Sequence, residues 1–175
     1  MNLFDEEATR PRDVMPEKPM FLDAPEHPLL ARFAAYLESK RGSYSLVDRA
    51  DIDPAELRPF LPHMTVLDVV AGGEDFRVRV FGTALVELMH EERTGQLISE
   101  FGQKPGIPTD PVELRNRWLT ICKMTAQNGR TLFFKAPTVS PQRAYMLYHG
   151  LFAPVTAGTS QVSQIFGMMV AVSAR

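Results

Sequence analysis

The sequence predicts an α+β domain in which two strands, a run of helices and three further strands follow one another. Three observations support this order. Apolar residues recur at helical spacing in two stretches, five segments have the composition or alternation of strands, and glycine and proline clusters separate them. At 175 residues, of which 45% are hydrophobic and 23% charged, the chain is long enough for one domain with its own core.

The N-terminal residues 1–27 are predicted to be an extended or mobile arm, and residues 28–175 are predicted to be the domain. Residues 1–28 contain five of the fourteen prolines, and each proline removes a backbone donor and disfavours helix in the preceding residue. The arm includes a short apolar cluster, Met20-Phe21-Leu22. This cluster is expected either to dock on the domain or a neighbouring subunit, or to fray.

Two helices are predicted at the start of the domain. The first begins near Pro28, a favourable first-turn residue, and stops at Gly42. A second, short helix follows Asp53, which can serve as its N-cap. The first helix has an apolar stripe at spacings of three, four and seven residues, formed by Leu30, Phe33, Ala34 and Leu37.

A β-hairpin is predicted next. Residues 63–70 are rich in β-branched side chains, residues 71–74 form a turn, and residues 76–80 alternate apolar with charged side chains. Two-residue alternation assigns the side chains of the second strand to opposite faces, with Phe76, Val78 and Val80 on one and Arg77 and Arg79 on the other.

The second half of the sequence predicts helices followed by three strands. One helix starts at Gly82-Thr83, and a longer one runs from Pro111 to about Gln127, where Asn128-Gly129 ends it. Three strands, at residues 131–136, 144–153 and 162–172, complete the predicted sheet.

Specific residue patterns indicate a family. Arg49-Ala50-Asp51-Ile52-Asp53-Pro54 precedes the hairpin, Arg77-Val78-Arg79-Val80-Phe81-Gly82-Thr83 ends it, and Thr94-Gly95 follows. Together they resemble the small bacterial PAS-like family, found mostly in alphaproteobacteria, with R-x-D-I-x-P and R-x-R-h-x-G-T motifs (h apolar). The similarity covers roughly residues 28–172. It implies a five-stranded antiparallel sheet with helices on one face and an N-terminal helix, and it carries over no catalytic residues.

The resemblance implies a stand-alone sensory or regulatory domain that acts by binding a small molecule, by contacting another protein, or by both. On this reading the chain is not an enzyme. Two alternatives stay open at this point. One is an NTF2-like or other α+β small-molecule-binding protein or enzyme, and the other is a structural interaction adaptor with a filled core.

The composition also excludes several classes of site and partner. Cys122 is the only cysteine and the histidines are scattered along the sequence, so we expect no metal site. No residue is placed to ligate haem or to bond flavin, so we expect no cofactor. The net charge of −2 argues against nucleic-acid binding. The longest apolar runs are too short to span a membrane, and the acidic N-terminus is unlike a secretory signal, which predicts a cytoplasmic protein.

Three groups of residues are candidates for binding. Arg77 and Arg79 could clamp an anion together, or they could instead pair with acids such as Asp51, Asp53 or Glu56. The apolar stripe of the first helix needs a partner surface, which is either the sheet of the same chain or a second protomer, and we predict a homodimer. Other expected partners are a signalling protein or a small apolar metabolite. The dimer-contact candidates are Leu30, Phe33, Tyr36 and Leu37, and the side chains that would line either a ligand pocket or a closed core are Leu114, Trp118, Cys122, Leu132, Phe134 and Met168.

Overall fold

The computed structural model describes residues 16, 18–103, 110–138 and 145–173, and its framework is one largely antiparallel sheet. The strands lie in the order β1-β5-β6-β7-β3-β4, and β2 pairs with β6 in the parallel sense. The first fifteen residues of the predicted arm lie outside the described residues. The strands are β1 (Met20–Leu22), β2 (Val47–Asp48), β3 (Met64–Val70), β4 (Asp75–Phe81), β5 (Leu132–Pro137), β6 (Met146–Thr156) and β7 (Val162–Ser173).

The sheet has two more strands than the five expected from the sequence. Strands β3 to β7 occupy the predicted segments, whereas β1 and β2 are additions. β1 is the apolar cluster of the predicted arm, and it docks on β5 with Met20 opposite Lys135 and Leu22 opposite Phe133. This part of residues 1–27 therefore belongs to the sheet of its own chain.

Three α-helices accompany the sheet, and side chains cap the N-termini of the first and third. His27 accepts a hydrogen bond from the backbone of Leu29 at the start of the first helix, and Asp110 accepts two backbone hydrogen bonds at the start of the third. Gly129 ends the third helix at a φ of 57°, which is the left-handed region that glycine adopts without strain. The helices are α1 (Pro28–Arg41), α2 (Thr83–Met89) and α3 (Pro111–Asn128).

The sheet is covered on both faces, and each face has its own hydrophobic core. We call the face against α2 and α3 the inner face, and the face against α1 the outer face. In β7, Ile165 and Met169 point into the inner core, while Phe166 and Met168 point into the outer core. Side chains of a strand alternate between faces, so a strand buried on both sides contributes to both cores.

A β-bulge in the hairpin corrects one prediction from alternation. Val66 lies opposite Val80 but Leu67 lies opposite Val78, so Arg79 is an extra residue in β4. Phe76 and Val78 consequently point into the inner core, whereas Val80 packs on the outer one. The prediction that all three share one face was wrong, because strict alternation cannot anticipate an inserted residue.

Replacement of Gly150 by alanine should destabilise the domain. Gly150 lies opposite Phe134 in the sheet, and a Cβ atom at this position would overlap the Phe134 ring. Overpacking of this kind typically costs about 1–3 kcal/mol, and urea unfolding would measure it. In a Phe134→Ala background the same substitution should cost clearly less, and equal costs in the two backgrounds would contradict the proposed contact.

Candidate functional site

A cavity of about 40 Å³ lies between the α2 and α3 region and the inner face of the sheet. The cavity lies within the inner core, with α3 on one side and β5, β6 and β7 on the other. A cavity of this size has room for a few water molecules. The residues that line it are Leu88, Met89, His90, Arg93, Leu114, Arg117, Trp118, Ile121, Phe134, Ala136, Tyr148, Phe152 and Met169.

Most of the cavity wall is aromatic or aliphatic. Trp118 is 5% exposed and packs against Phe101 and Phe152, with ring centroids 5.4 and 5.5 Å away. Phe134 packs edge-on against Phe152 at 5.6 Å. Edge-to-face contacts at these distances stabilise aromatic clusters, so the aromatic part of the cavity wall is held in place by ring-to-ring packing.

Two guanidinium groups give the cavity a polar side. Arg117, on α3, is held by Glu113 at 2.8 Å and also donates to the backbone carbonyl of Pro137. Burial lowers the pKa of Arg117, although Glu113 and Tyr148 oppose this. The guanidinium of Arg117 is thus held at the cavity by its contacts with Glu113 and with the carbonyl of Pro137.

Arg93 is the most deeply buried charged side chain of the site, at 1% exposure. Its Nε lies 3.4 Å from the Glu91 carboxylate, and its guanidinium carbon lies 4.3 Å from the centre of the Phe101 ring and 5.8 Å from that of Phe81. Its Nη1 has no hydrogen-bond partner within the part of the chain that the structure describes. Burial lowers the pKa of Arg93, and the nearby Glu91 carboxylate partly offsets this.

The predicted pocket residues divide into three groups. Leu114, Trp118 and Phe134 line the cavity. Cys122 and Leu132 belong to the inner core but are not among the lining residues, and burial raises the pKa of the Cys122 thiol well above its usual value. Met168 was assigned to the wrong face, because it packs in the outer core under α1. Its neighbour Met169 lines the cavity instead.

Sequence reasoning missed the polar residues of the site. Arg117 lies three residues after Leu114, which was already on the α3 stripe, so helical spacing could have identified it. Tyr148 lies four residues before Phe152 in β6, so two-residue alternation places both side chains on the same face once Phe152 is known to point inward. Arg93 lies between α2 and a short 3₁₀ turn, where no periodic pattern exists.

Arg77 and Arg79 are both exposed on β4, and each has a partner within the protein. Arg79 forms a bidentate pair with Asp68, with a shortest N to O distance of 2.7 Å. Arg77 donates to the backbone carbonyl of Gly95 at 2.8 Å. The acid that pairs with Arg79 is thus Asp68 from the neighbouring strand, and not Asp51, Asp53 or Glu56.

The dimer-contact candidates on α1 are mostly covered by their own chain. Leu30, Phe33 and Leu37 are buried in the outer core, and Tyr36 is half-buried with its hydroxyl 3.5 Å from the carbonyl of Asp53. The stripe is therefore covered by the sheet of its own chain. A dimer that used the three buried residues would require α1 to exchange between protomers.

Among the described residues, no three histidine, cysteine or acidic side chains are grouped as they would be to hold a metal ion. The helices in the described ranges include none with the length and apolar character of a membrane span.

Replacement of Arg79 by methionine should raise the pKa of Asp68. Burial alone would raise this pKa, but hydrogen bonds from Arg79 and Gln164 hold it below its ordinary value. Because the pKa of Asp68 is lower in the folded than in the unfolded state, the carboxylate stabilises the protein at pH values above its unfolded-state pKa. This stabilisation is lost as the pH falls through the folded-state pKa. NMR titration of the Asp68 carboxyl would measure the change, with Arg130→Met as the control. An unchanged Asp68 pKa in the Arg79 variant would contradict the pairing.

Comparison with known proteins identifies the fold family. Comparison with curated proteins finds no match. One solved structure that matches is an RNA-binding light-oxygen-voltage receptor, at 18% identity and a TM-score of 0.47, over 74% of this chain and 37% of that one. Another concerns a light-oxygen-voltage domain with a flavin analogue, at 15% identity and a TM-score of 0.43, over 68% of this chain and 83% of that one. The PAS domain family model matches residues 25–170, so the chain belongs to the PAS domain family.

Proposed function

We propose that this PAS domain is a cytoplasmic sensory or regulatory module that binds a small molecule in the inner cavity and acts through contacts with other proteins. The observation that supports the proposal most directly is the cavity itself. Its wall combines an aromatic surface, including Trp118 and Phe134, with the buried guanidinium of Arg93. Small-molecule sites typically combine a largely apolar wall with a few fixed polar groups.

The residue types around the cavity favour binding over catalysis. The described lining contains no serine, threonine, cysteine or carboxylate, and its titratable groups besides the two arginines are His90 and Tyr148. Covalent or acid-base hydrolysis would need a nucleophile with a base, or a pair of carboxyl groups, facing the same space. The lining therefore supports a non-enzymatic module and gives no support to an NTF2-like enzyme with an inward Asp–His pair.

A structural adaptor with a filled core is the alternative that this proposal must exclude. Its inner core would be closed, with no exchangeable occupant. The cavity volume of about 40 Å³ limits any occupant to a small molecule unless side chains rearrange. The sensor and adaptor hypotheses therefore differ in whether filling the cavity with a larger side chain changes what the protein binds.

Replacement of Ala136 by leucine should abolish small-molecule binding. Ala136 is buried on β5 and lines the cavity, so a leucine there would occupy the empty space. Native mass spectrometry, after incubation with a small-molecule extract of bacterial cells, should detect a bound molecule on the wild type and none on Ala136→Leu. The matched control is Ala35→Leu, at an exposed position of α1. A wild-type protein that retains nothing, or an Ala136 variant that retains the same mass, would contradict the proposal.

One feature supports the protein-contact part of the proposal, including the predicted homodimer. Phe21 on the edge strand β1 is 45% exposed, and Val112 at the start of α3 is 56% exposed. Both line the same surface groove, which lies beside the edge of the sheet. Exposed edge strands are common sites of pairing between chains, so we propose this edge, and not the buried stripe of α1, as the homodimer contact.

Replacement of Phe21 by serine should weaken the homodimer. The substitution removes exposed apolar area from the edge strand without touching either core. Light scattering at tens of micromolar should give a dimer mass for the wild type and a lower average mass for Phe21→Ser. Tyr44→Ser, at a 73% exposed position after α1, is the control. A monomeric wild type would overturn the dimer, and an unchanged mass in the Phe21 variant would exclude this edge as the contact.

A further inference from the structure

The geometry around Arg93 leaves one part of its guanidinium available to a ligand. The aromatic ring of Phe101 contacts the face of the group, and Glu91 lies beside Nε. Contacts to the face and to Nε do not use the N–H groups of Nη1, which point in the plane of the guanidinium. Nη1 is buried and has no hydrogen-bond partner among the residues that the structure describes.

A buried donor on a cation without an acceptor is unfavourable, and an acceptor placed beside it gains a strong charge-assisted hydrogen bond. Arg93 belongs to the cavity wall, so the cavity is where such an acceptor would lie. Arg117 lines the same cavity, and its side chain is about nine-tenths buried. The acidic partners, Glu91 and Glu113, are not among the described lining residues. The cavity therefore presents positive charge and no described negative charge.

The remainder of the wall determines what else the ligand must carry. Trp118, Phe134 and Met169 form an apolar surface that a fully hydrated inorganic anion would not match. An apolar group next to an anionic acceptor satisfies both parts of the wall. A carboxylate supplies such an acceptor, because its oxygens accept charge-assisted hydrogen bonds from a guanidinium N–H.

The cavity volume sets the size of the ligand. A cavity of roughly 150 Å³ holds a benzene-sized molecule, whereas this one measures about 40 Å³. We propose that the cavity binds a small monocarboxylate of two or three carbons, with its carboxylate on Arg93 and its alkyl group against Trp118 and Phe134. This inference rests on the proposed function of the cavity as a small-molecule site and names the chemical class of its ligand.

The single tryptophan provides a direct measurement, because Trp118 lines the cavity and is the only tryptophan in the chain. Titration with sodium acetate and sodium propionate should change the fluorescence of Trp118 and raise the thermal unfolding midpoint of the wild type. Propionamide has nearly the same shape as propionate but no charge, and it should have little effect. Sodium chloride at the same ionic strength separates carboxylate binding from a general effect of anions.

The matched variants are Arg93→Lys and Arg130→Lys. Lysine keeps the positive charge beside Glu91, so the first variant should fold, but its compact ammonium cannot also place an N–H where Nη1 lies. We expect propionate to bind Arg93→Lys at least about tenfold more weakly than the wild type. We expect no change for Arg130→Lys, because Arg130 is exposed and is not among the lining residues. Circular dichroism of both variants would establish that they are folded.

Several results would overturn the inference. They are an equal response to propionamide, an equal response to chloride, unchanged propionate affinity in a folded Arg93→Lys variant, and no response of the wild type to any carboxylate. The retained-molecule experiment with Ala136→Leu separates these failures from failure of the proposed function. A molecule that the wild type retains without any response to propionate overturns the carboxylate alone, whereas the absence of any retained molecule overturns the cavity as a binding site.

Discussion

The pairing of β6 with β7 is the constraint on which the rest of the structure depends. The two strands are the longest in the sheet, and their register runs from Met146 opposite Ser173 to Thr156 opposite Val162. Because both faces of these strands are buried, the register determines which apolar side chains enter each core. Phe152 and Met169 support the inner face, and Leu151 and Met168 support the outer face. A slip of one residue in this register would exchange the side chains of the inner and outer faces. It would remove both the cavity wall and the apolar surface on which α1 packs.

Local rules were sufficient for most of the secondary structure. Pro28 and Gly42 bound α1, and the pair of Asp110 and Gly129 bounds α3, because capping depends on residues adjacent in sequence. The additional strands are different. β1 has three residues and β2 has two, and each exists only because a longer strand, β5 or β6, offers it hydrogen bonds. No pattern within so short a segment can predict pairing that is decided by a distant partner.

The site was predictable to the extent that periodicity could identify it. Leu114 and Trp118 were found because they lie four residues apart on one helical stripe. Met168 was placed on the wrong face because residues 165–170 are almost uniformly apolar, and a strand buried on both sides has no polar residues to reveal its alternation. Arg93 was missed for another reason. Arginine is usually exposed, and only the tertiary contacts with Glu91 and Phe101 show that this one is buried.

The position of Arg93 connects the cavity to the edge of the sheet. Two residues after Arg93, the backbone N–H of Gly95 donates to the carbonyl of Val78 at 2.7 Å, and Val78 in turn donates to Gln96 at 2.9 Å. Arg77 also donates to Gly95. The segment that places the guanidinium at the cavity is therefore hydrogen-bonded to β4, the edge strand next to β3. A ligand bonded to Nη1 would therefore contact a segment whose backbone is itself hydrogen-bonded to β4. At Val78 the outer side of β4 is therefore paired with residues 95–97, and this segment, not an open strand edge, forms the surface on that side of the sheet.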